Sequence, residues 1–169
     1  MKKSLFRRIA ISLAITLGLL ALLGSCASLS NNNSATDEQI ANREYMVQVN
    51  RIMDTLIVDL TGFSKALADE DVVNMDVAAG HAYKTIDELV ALKPPEALQE
   101  IHSEYVAGCV ELRDALSEYI ALYTEISLAT EERPFNFSNY YVQLNKIKQK
   151  YSSGIAHLEK ADEKARAME

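Results

Sequence analysis

Cysteine is almost missing from this sequence: Cys26 and Cys109 are the two in 169 residues. A disulfide-stapled scaffold is therefore excluded, and neither a zinc motif nor the Cys-x-x-Cys-His of covalent haem can be assembled. Glycine is sparse too, with six residues. None forms a Gly-rich phosphate loop or a Gly-x-Ser-x-Gly nucleophile elbow. The three histidines, His81, His102 and His157, are preceded three residues earlier by Ala78, Gln99 and Gly154, which excludes the Glu-x-x-His pairs of di-iron carboxylate bundles. Basic residues are outnumbered, 17 against 24 acidic. That balance disfavours nucleic acid as a partner, because affinity there comes from Lys and Arg neutralising phosphates. No stretch shows the alternation of a half-buried strand.

What remains is helical periodicity. Thr36 with Gln39 has the form of a capping box, and Asp37 and Glu38 put negative charge in the first turn. Apolar residues then follow at Val49, Ile52, Met53, Leu56, Ile57, Leu60, Phe63 and Leu67, one helical face, up to the polar turn Asp69-Glu70-Asp71. A second face runs through Val72, Met75, Ala79, Ala82, Tyr83, Ile86, Leu89 and Val90 and stops at Lys93-Pro94-Pro95. Proline disfavours helix in the residue before it but suits a first helical turn, so this pair closes one helix and opens the next. Tyr105, Cys109, Leu112, Leu116, Tyr119, Tyr123 and Ile126 step by four and three, a heptad seam. After a loop holding Pro134, the pattern resumes at Tyr140, Leu144, Ile147, Tyr151, Ile155 and Leu158.

Four amphipathic helices, at about 37–68, 71–92, 95–128 and 137–165, joined by short loops, predict an all-α fold, an up-down-up-down four-helix bundle spanning 37–169. Seven acids between Pro95 and Leu128 (Glu96, Glu100, Glu104, Glu111, Asp114, Glu118, Glu125) stand against Arg113, while the last helix opens with Lys146, Lys148 and Lys150. This complementarity predicts that the third and fourth helices are neighbours.

The N-terminus has a different character. Lys2, Lys3, Arg7 and Arg8 precede an apolar run, Ile9 to Leu23, which ends in Leu23-Gly24-Ser25-Cys26. The order is that of a signal peptide: basic region, apolar region, small-residue cleavage site. The run is shorter than the roughly 20 apolar residues of a spanning helix. Leu23 to Cys26 resembles the lipobox of bacterial lipoproteins. The resemblance implies a diacylglycerol thioether and an acyl chain such as palmitate on Cys26, with no other cofactor, and removal of the signal peptide, residues 1–25. Residues 26–36, rich in Ser and Asn, read as a flexible tether.

Removal of that leader leaves 144 of the 169 residues, enough for one domain with a sizeable core. Four of the 17 basic residues and none of the 24 acidic ones lie in it, so 13 face 24, a formal charge of −11. Such a surface also opposes a polybasic patch on anionic lipid, leaving acyl chains, at about 0.8 kcal/mol per buried CH2, as the attachment. In an outer-membrane host, Ala27 in place of Asp resembles the signal for transfer to that membrane. Otherwise the expected location is the outer face of the cell membrane.

Candidate sites are few. Cys109 lies on the apolar seam, where cysteine behaves as a small buried hydrophobe. Glu96, Glu100 and Glu104 share a helix face as a solvated acidic stripe, with no metal site read from them. His157 with Met46 or Met53 is the one pairing that suggests non-covalent haem across the bundle. Gly62, Gly80, Gly108 and Gly154 fall inside helices, where each costs about 1 kcal/mol relative to Ala. Gly108 and Gly154 stand at similar height beside Cys109 and Ile155. They let two helices approach closely, or they leave a small-ligand pocket with the Tyr105 and Tyr151 hydroxyls at its rim.

Leu92-Lys93-Pro94-Pro95-Glu96, followed by Leu98, His102 and Tyr105, resembles a helix start found in small all-helical lipoproteins of uncharacterised function in many bacteria. That resemblance carries no active site. The expected function is a non-enzymatic, lipid-anchored binding or scaffolding module, partnered by the membrane through its lipid and by another envelope or surface component. A small-molecule or haem carrier is the alternative.

Overall fold

The computed structural model describes residues 35–168. The expected signal peptide (1–25), the expected lipidation position Cys26 and residues 26–34 of the expected tether lie outside the described residues. Four helices make up the fold: α1 (Asp37–Ala68), α2 (Val72–Val90), α3 (Gln99–Ser127) and α4 (Tyr140–Arg166), with no strand among the described residues. None of the described helices is long and apolar enough to cross a membrane.

The capping box at the start of α1 is formed in both directions. The Gln39 backbone N–H donates to Thr36 Oγ1 at 3.2 Å, and the Thr36 N–H donates to Gln39 Oε1 at 3.0 Å. The far end of α1 is closed by two backbone bonds, Glu70 N–H to the Leu67 carbonyl and Asp71 N–H to the Ala66 carbonyl. This Schellman closure requires a left-handed residue, and Glu70 supplies it at φ 57° although glycine is the usual occupant. Asp71 then caps α2, its carboxylate accepting from the Asn74 N–H at 3.0 Å. Chain reversal and the next helix start thus share three residues.

The α-helical starts of α3 and α4 fall later than the sequence predicts. Pro95 has ψ 158°, outside the helical range, and Glu96–Leu98 form a 3-10 turn before α3 begins at Gln99. Phe137–Asn139 do the same before α4, with the Asn136 side chain accepting from the Ser138 N–H at 3.0 Å. Tight 3-10 turns are common helix entries.

Contacts between the helices give their directions. Thr85 Oγ1 on α2 donates to Asp59 Oδ2 on α1 at 2.7 Å. Arg113 on α3 donates to the Tyr83 carbonyl at 2.9 Å and pairs with Asp87, both on α2. Lys150 pairs with Glu118 near one end of α3–α4 and Lys164 with Glu100 near the other. Tyr45 meets His102, and Phe63 meets Tyr119, so α1 and α3 run parallel. The arrangement is up, down, up, down.

The periodic faces meet in one core. Val49, Ile52, Met53, Leu56, Leu60, Phe63 and Leu67 are buried, as is the α3 seam from Tyr105 to Tyr123, with Tyr140, Leu144, Ile147 and Leu158 of α4. Val90, assigned inward by periodicity, is exposed. It is the last residue of α2, where the chain is already turning away.

Replacing Thr36 by Ala removes one half of the capping box. It is expected to cost about 1 kcal/mol, read as a lowered urea midpoint with an unchanged slope.

Candidate functional site

Among the described residues, chemistry-bearing side chains converge most densely at the end of the bundle at which α1 and α3 start and α4 finishes. Parallel α1 and α3 bring Tyr45 beside His102, and antiparallel α4 brings residues 157–164 alongside residues 100–105. The Tyr45 hydroxyl and His102 Nδ1 lie 2.8 Å apart. Burial lowers the His102 pKa, favouring the neutral ring, and pushes the Tyr45 hydroxyl up to about 12. One turn on, the Tyr105 hydroxyl donates to Asp162 Oδ1 at 2.5 Å. Burial, then the hydrogen bond to Asp162, then that residue's negative charge all raise the Tyr105 pKa, so this hydroxyl stays protonated.

Glu104 is the hub. Its Oε1 is 2.6 Å from Lys160 Nζ and 3.2 Å from Lys164 Nζ, and its Oε2 is 2.8 Å from His157 Nδ1. Lys164 also reaches Glu100 at 2.5 Å. The hydrogen bonds from Lys160, His157 and Lys164 hold the Glu104 carboxyl down at about 2. Two carboxylates of the acidic stripe are thereby neutralised from the neighbouring helix, and the repulsion along Glu96, Glu100 and Glu104 is relieved.

The glycine pair lies one turn further along the same seam. A Cβ on Gly108 would sit 2.7 Å from the Gly154 carbonyl oxygen, and one on Gly154 would sit 2.9 Å from the Gly108 carbonyl oxygen. The two backbones are in direct contact, with Leu158 and Leu112 packed around them. Of the two readings of these residues, the pocket is corrected to a helix contact: the space a ligand needs between Gly108 and Gly154 is filled by opposing carbonyls and leucine side chains.

The companion residues follow suit. Cys109 is fully buried beside Gly108, and burial pushes its thiol up to about 12, well above the range of a reactive cysteine. The Tyr105 hydroxyl is taken by Asp162, and Tyr151 is half-buried against the core. His81 is exposed. His157 is fixed on the α3–α4 flank by Glu104, while Met53 is buried within α1's core face. Among the described residues, no group of three or more His, Cys, Asp or Glu side chains is arranged to hold a metal ion.

Sequence reasoning overlooked Lys160, Lys164, Asp162 and Tyr45. Lys160 and Lys164 are four apart, as are Glu100 and Glu104, and that spacing is the one signal for them. It becomes readable only with the antiparallel register in hand. Lys150 makes the predicted pairing, with Glu118 and Asp114, while the rest of the predicted attraction is carried by Lys160 and Lys164.

Tyr45, Glu100, Glu104, Tyr105, His157, Lys160, Asp162 and Lys164 are all engaged across a helix interface, so the cluster joins α1, α3 and α4. Compared with protein-family models, curated proteins and solved structures, the chain matches none.

Two outcomes test this account. Gly108→Ala is expected to destabilise by about 2 kcal/mol, since carbonyl and leucine must move apart, whereas Gly80→Ala, whose Cβ meets nothing within 4 Å, is expected to stabilise by up to about 1 kcal/mol. Paired urea titrations read the opposite signs. A depressed carboxyl pKa contributes stability above the unfolded value and loses it as pH falls through the folded one. The advantage of the wild type over Glu104→Gln is therefore expected to be full above pH 4.5 and to fade towards pH 2. A difference independent of pH over that window would contradict it.

Proposed function

We propose that this chain is a lipid-anchored module of the bacterial cell envelope that binds or scaffolds another envelope component outside the cytoplasm and carries out no chemistry of its own. The observation that carries this reading is the succession Leu23-Gly24-Ser25-Cys26, a Ser/Asn-rich stretch, and the capping box at Thr36. A lipobox-like cysteine leads through a short tether straight into the first turn of a helical bundle. Diacylglycerol and an acyl chain on Cys26 provide the anchor, since two or more chains are needed for stable attachment. The membrane is the cell membrane or, with Ala27 after the cysteine, the outer membrane.

Two further features support a non-enzymatic role. The seam groups that read as candidates, Cys109 and Tyr105, are buried and held protonated. The polar cluster at the α1–α3–α4 end spends its hydrogen bonds on joining helices. A bundle tied in this way is suited to holding a surface at a fixed distance from its anchor.

Cys26→Ala tests the anchor. The variant is expected to leave the membrane fraction and to take up no labelled palmitate in growing cells. Unchanged membrane association together with unchanged labelling would overturn the proposal.

A further inference from the structure

The end of the bundle opposite the tether carries an aromatic cluster that the core does not fully absorb. Phe135 and Phe137 meet edge to face at 4.8 Å, both lie 6.1 Å from Tyr140, and Tyr141 follows at 5.3 Å. Tyr140 is buried and Phe135 half-buried, so the cluster has a fixed base. Its outer rings are in solvent: Phe137 is 45% and Tyr141 66% exposed, with Leu128 at 72% and Val142 at 56% nearby in the chain. Rigid aromatic side chains on a supported base are the residues that interfaces concentrate.

The charge around them is mainly acidic. The α1–α2 turn brings Asp69, Glu70 and Asp71 to this end, and the α3 terminus and following loop bring Glu125, Glu131 and Glu132, against Lys65 and Arg133. Burial, with a smaller contribution from the Glu70 charge, raises the Tyr123 and Tyr140 pKa values at this end of the bundle. With 32 residues in α1, this tip stands about 48 Å from the tether end at 1.5 Å per residue.

We propose that this tip docks a basic, arginine-rich segment of another protein. Arginine side chains would lie over Phe137 and Tyr141 and pair with the surrounding carboxylates, as Arg113 already does within the bundle, 5.5 Å above the Tyr83 ring and paired with Asp87. A second copy of this chain is disfavoured as the occupant, because two acidic rims would face each other. An anionic lipid surface is disfavoured by the same charge and by the tip's distance from the anchored end. The inference rests on the scaffolding reading and gives its partner a chemistry.

The test uses the full chain in non-ionic detergent and a benzophenone-bearing 12-residue peptide alternating arginine and leucine, with a glutamate-for-arginine counterpart and protein-free micelles as blanks. Cross-links are expected within residues 69–71 and 125–142. Binding is expected to weaken about tenfold in a Phe137→Ala/Tyr141→Ala double variant and to fall with salt. Glu131→Gln/Glu132→Gln, in an exposed loop, should weaken binding as well and keeps the test open if the aromatic variant loses helicity. Val47→Ala, near the tether end, should change nothing. Cross-links spread evenly along the helices, equal binding of the glutamate peptide, or displacement of the peptide by phosphatidylcholine vesicles would each overturn the proposal. Repeating the measurement on Cys26→Ala separates the two readings, because tip binding does not depend on the anchor.

Discussion

The contact between the Gly108 and Gly154 backbones sets the spacing of α3 and α4, and the rest of the bundle is arranged around that pair. Helices ordinarily stand 8–10 Å apart because side chains separate them. Here two absent side chains leave the opposing carbonyl oxygens where Cβ atoms would otherwise stand, with Leu112 and Leu158 packed around the contact. Close approach also shortens the reach across the flanks. Lys150 can then pair with Glu118, Lys164 with Glu100, and the Tyr105 hydroxyl with Asp162, all along one helix interface.

The polar cluster and the apolar seam contribute in different ways. Burial of Tyr105, Cys109, Leu112, Leu116 and Tyr119 supplies the driving force, roughly in proportion to the apolar area removed from water. The ion pairs are largely solvent-exposed and add little stability each. Their hydrogen bonds are directional, however, and three of them converge on Glu104 from His157, Lys160 and Lys164. Such a hub selects an arrangement of helices that the apolar residues by themselves leave open.

Much of the bundle was legible in the sequence because the information is local. The Thr36–Gln39 capping box, the four apolar faces and the heptad seam are patterns within one helix, and the structure buries most of their residues as read, with Val90 the exception. The glycine pair was visible as an anomaly, two costly residues at one height, but periodicity cannot say whether missing side chains leave a void or a contact. Only the opposing carbonyls decide that. The stop at Asp69-Glu70-Asp71 was legible as a polar turn, but the left-handed conformation of Glu70 was not, since such a residue is signalled by glycine or asparagine and this chain uses glutamate. Lys160 and Lys164 were unreadable because their partners lie some sixty positions away, beyond any local pattern. The late start of α3 was missed because proline was read as a first helical residue, whereas Pro95 sits just outside a 3-10 turn, and that of α4 because Phe137–Asn139 enter the helix as a 3-10 turn.

Register is where these features combine. A heptad seam repeats every seven residues, so sliding α4 by one heptad against α3 would leave apolar positions facing apolar positions. The same slide would bring Ile147 or Ala161 to the place of Gly154. A side chain there cannot be accommodated, with the Gly108 carbonyl 2.9 Å from the Cβ position. It would also carry Lys150 and Lys164 away from Glu118 and Glu100. One steric and several electrostatic terms therefore exclude the alternatives that the hydrophobic pattern permits, which is how a repetitive sequence specifies a single structure. With α3 and α4 fixed in this way, the loop between them is fixed too. The position of Phe135, Phe137 and Tyr140 at the far tip is then a consequence of two glycines lying about four to five turns down the same pair of helices.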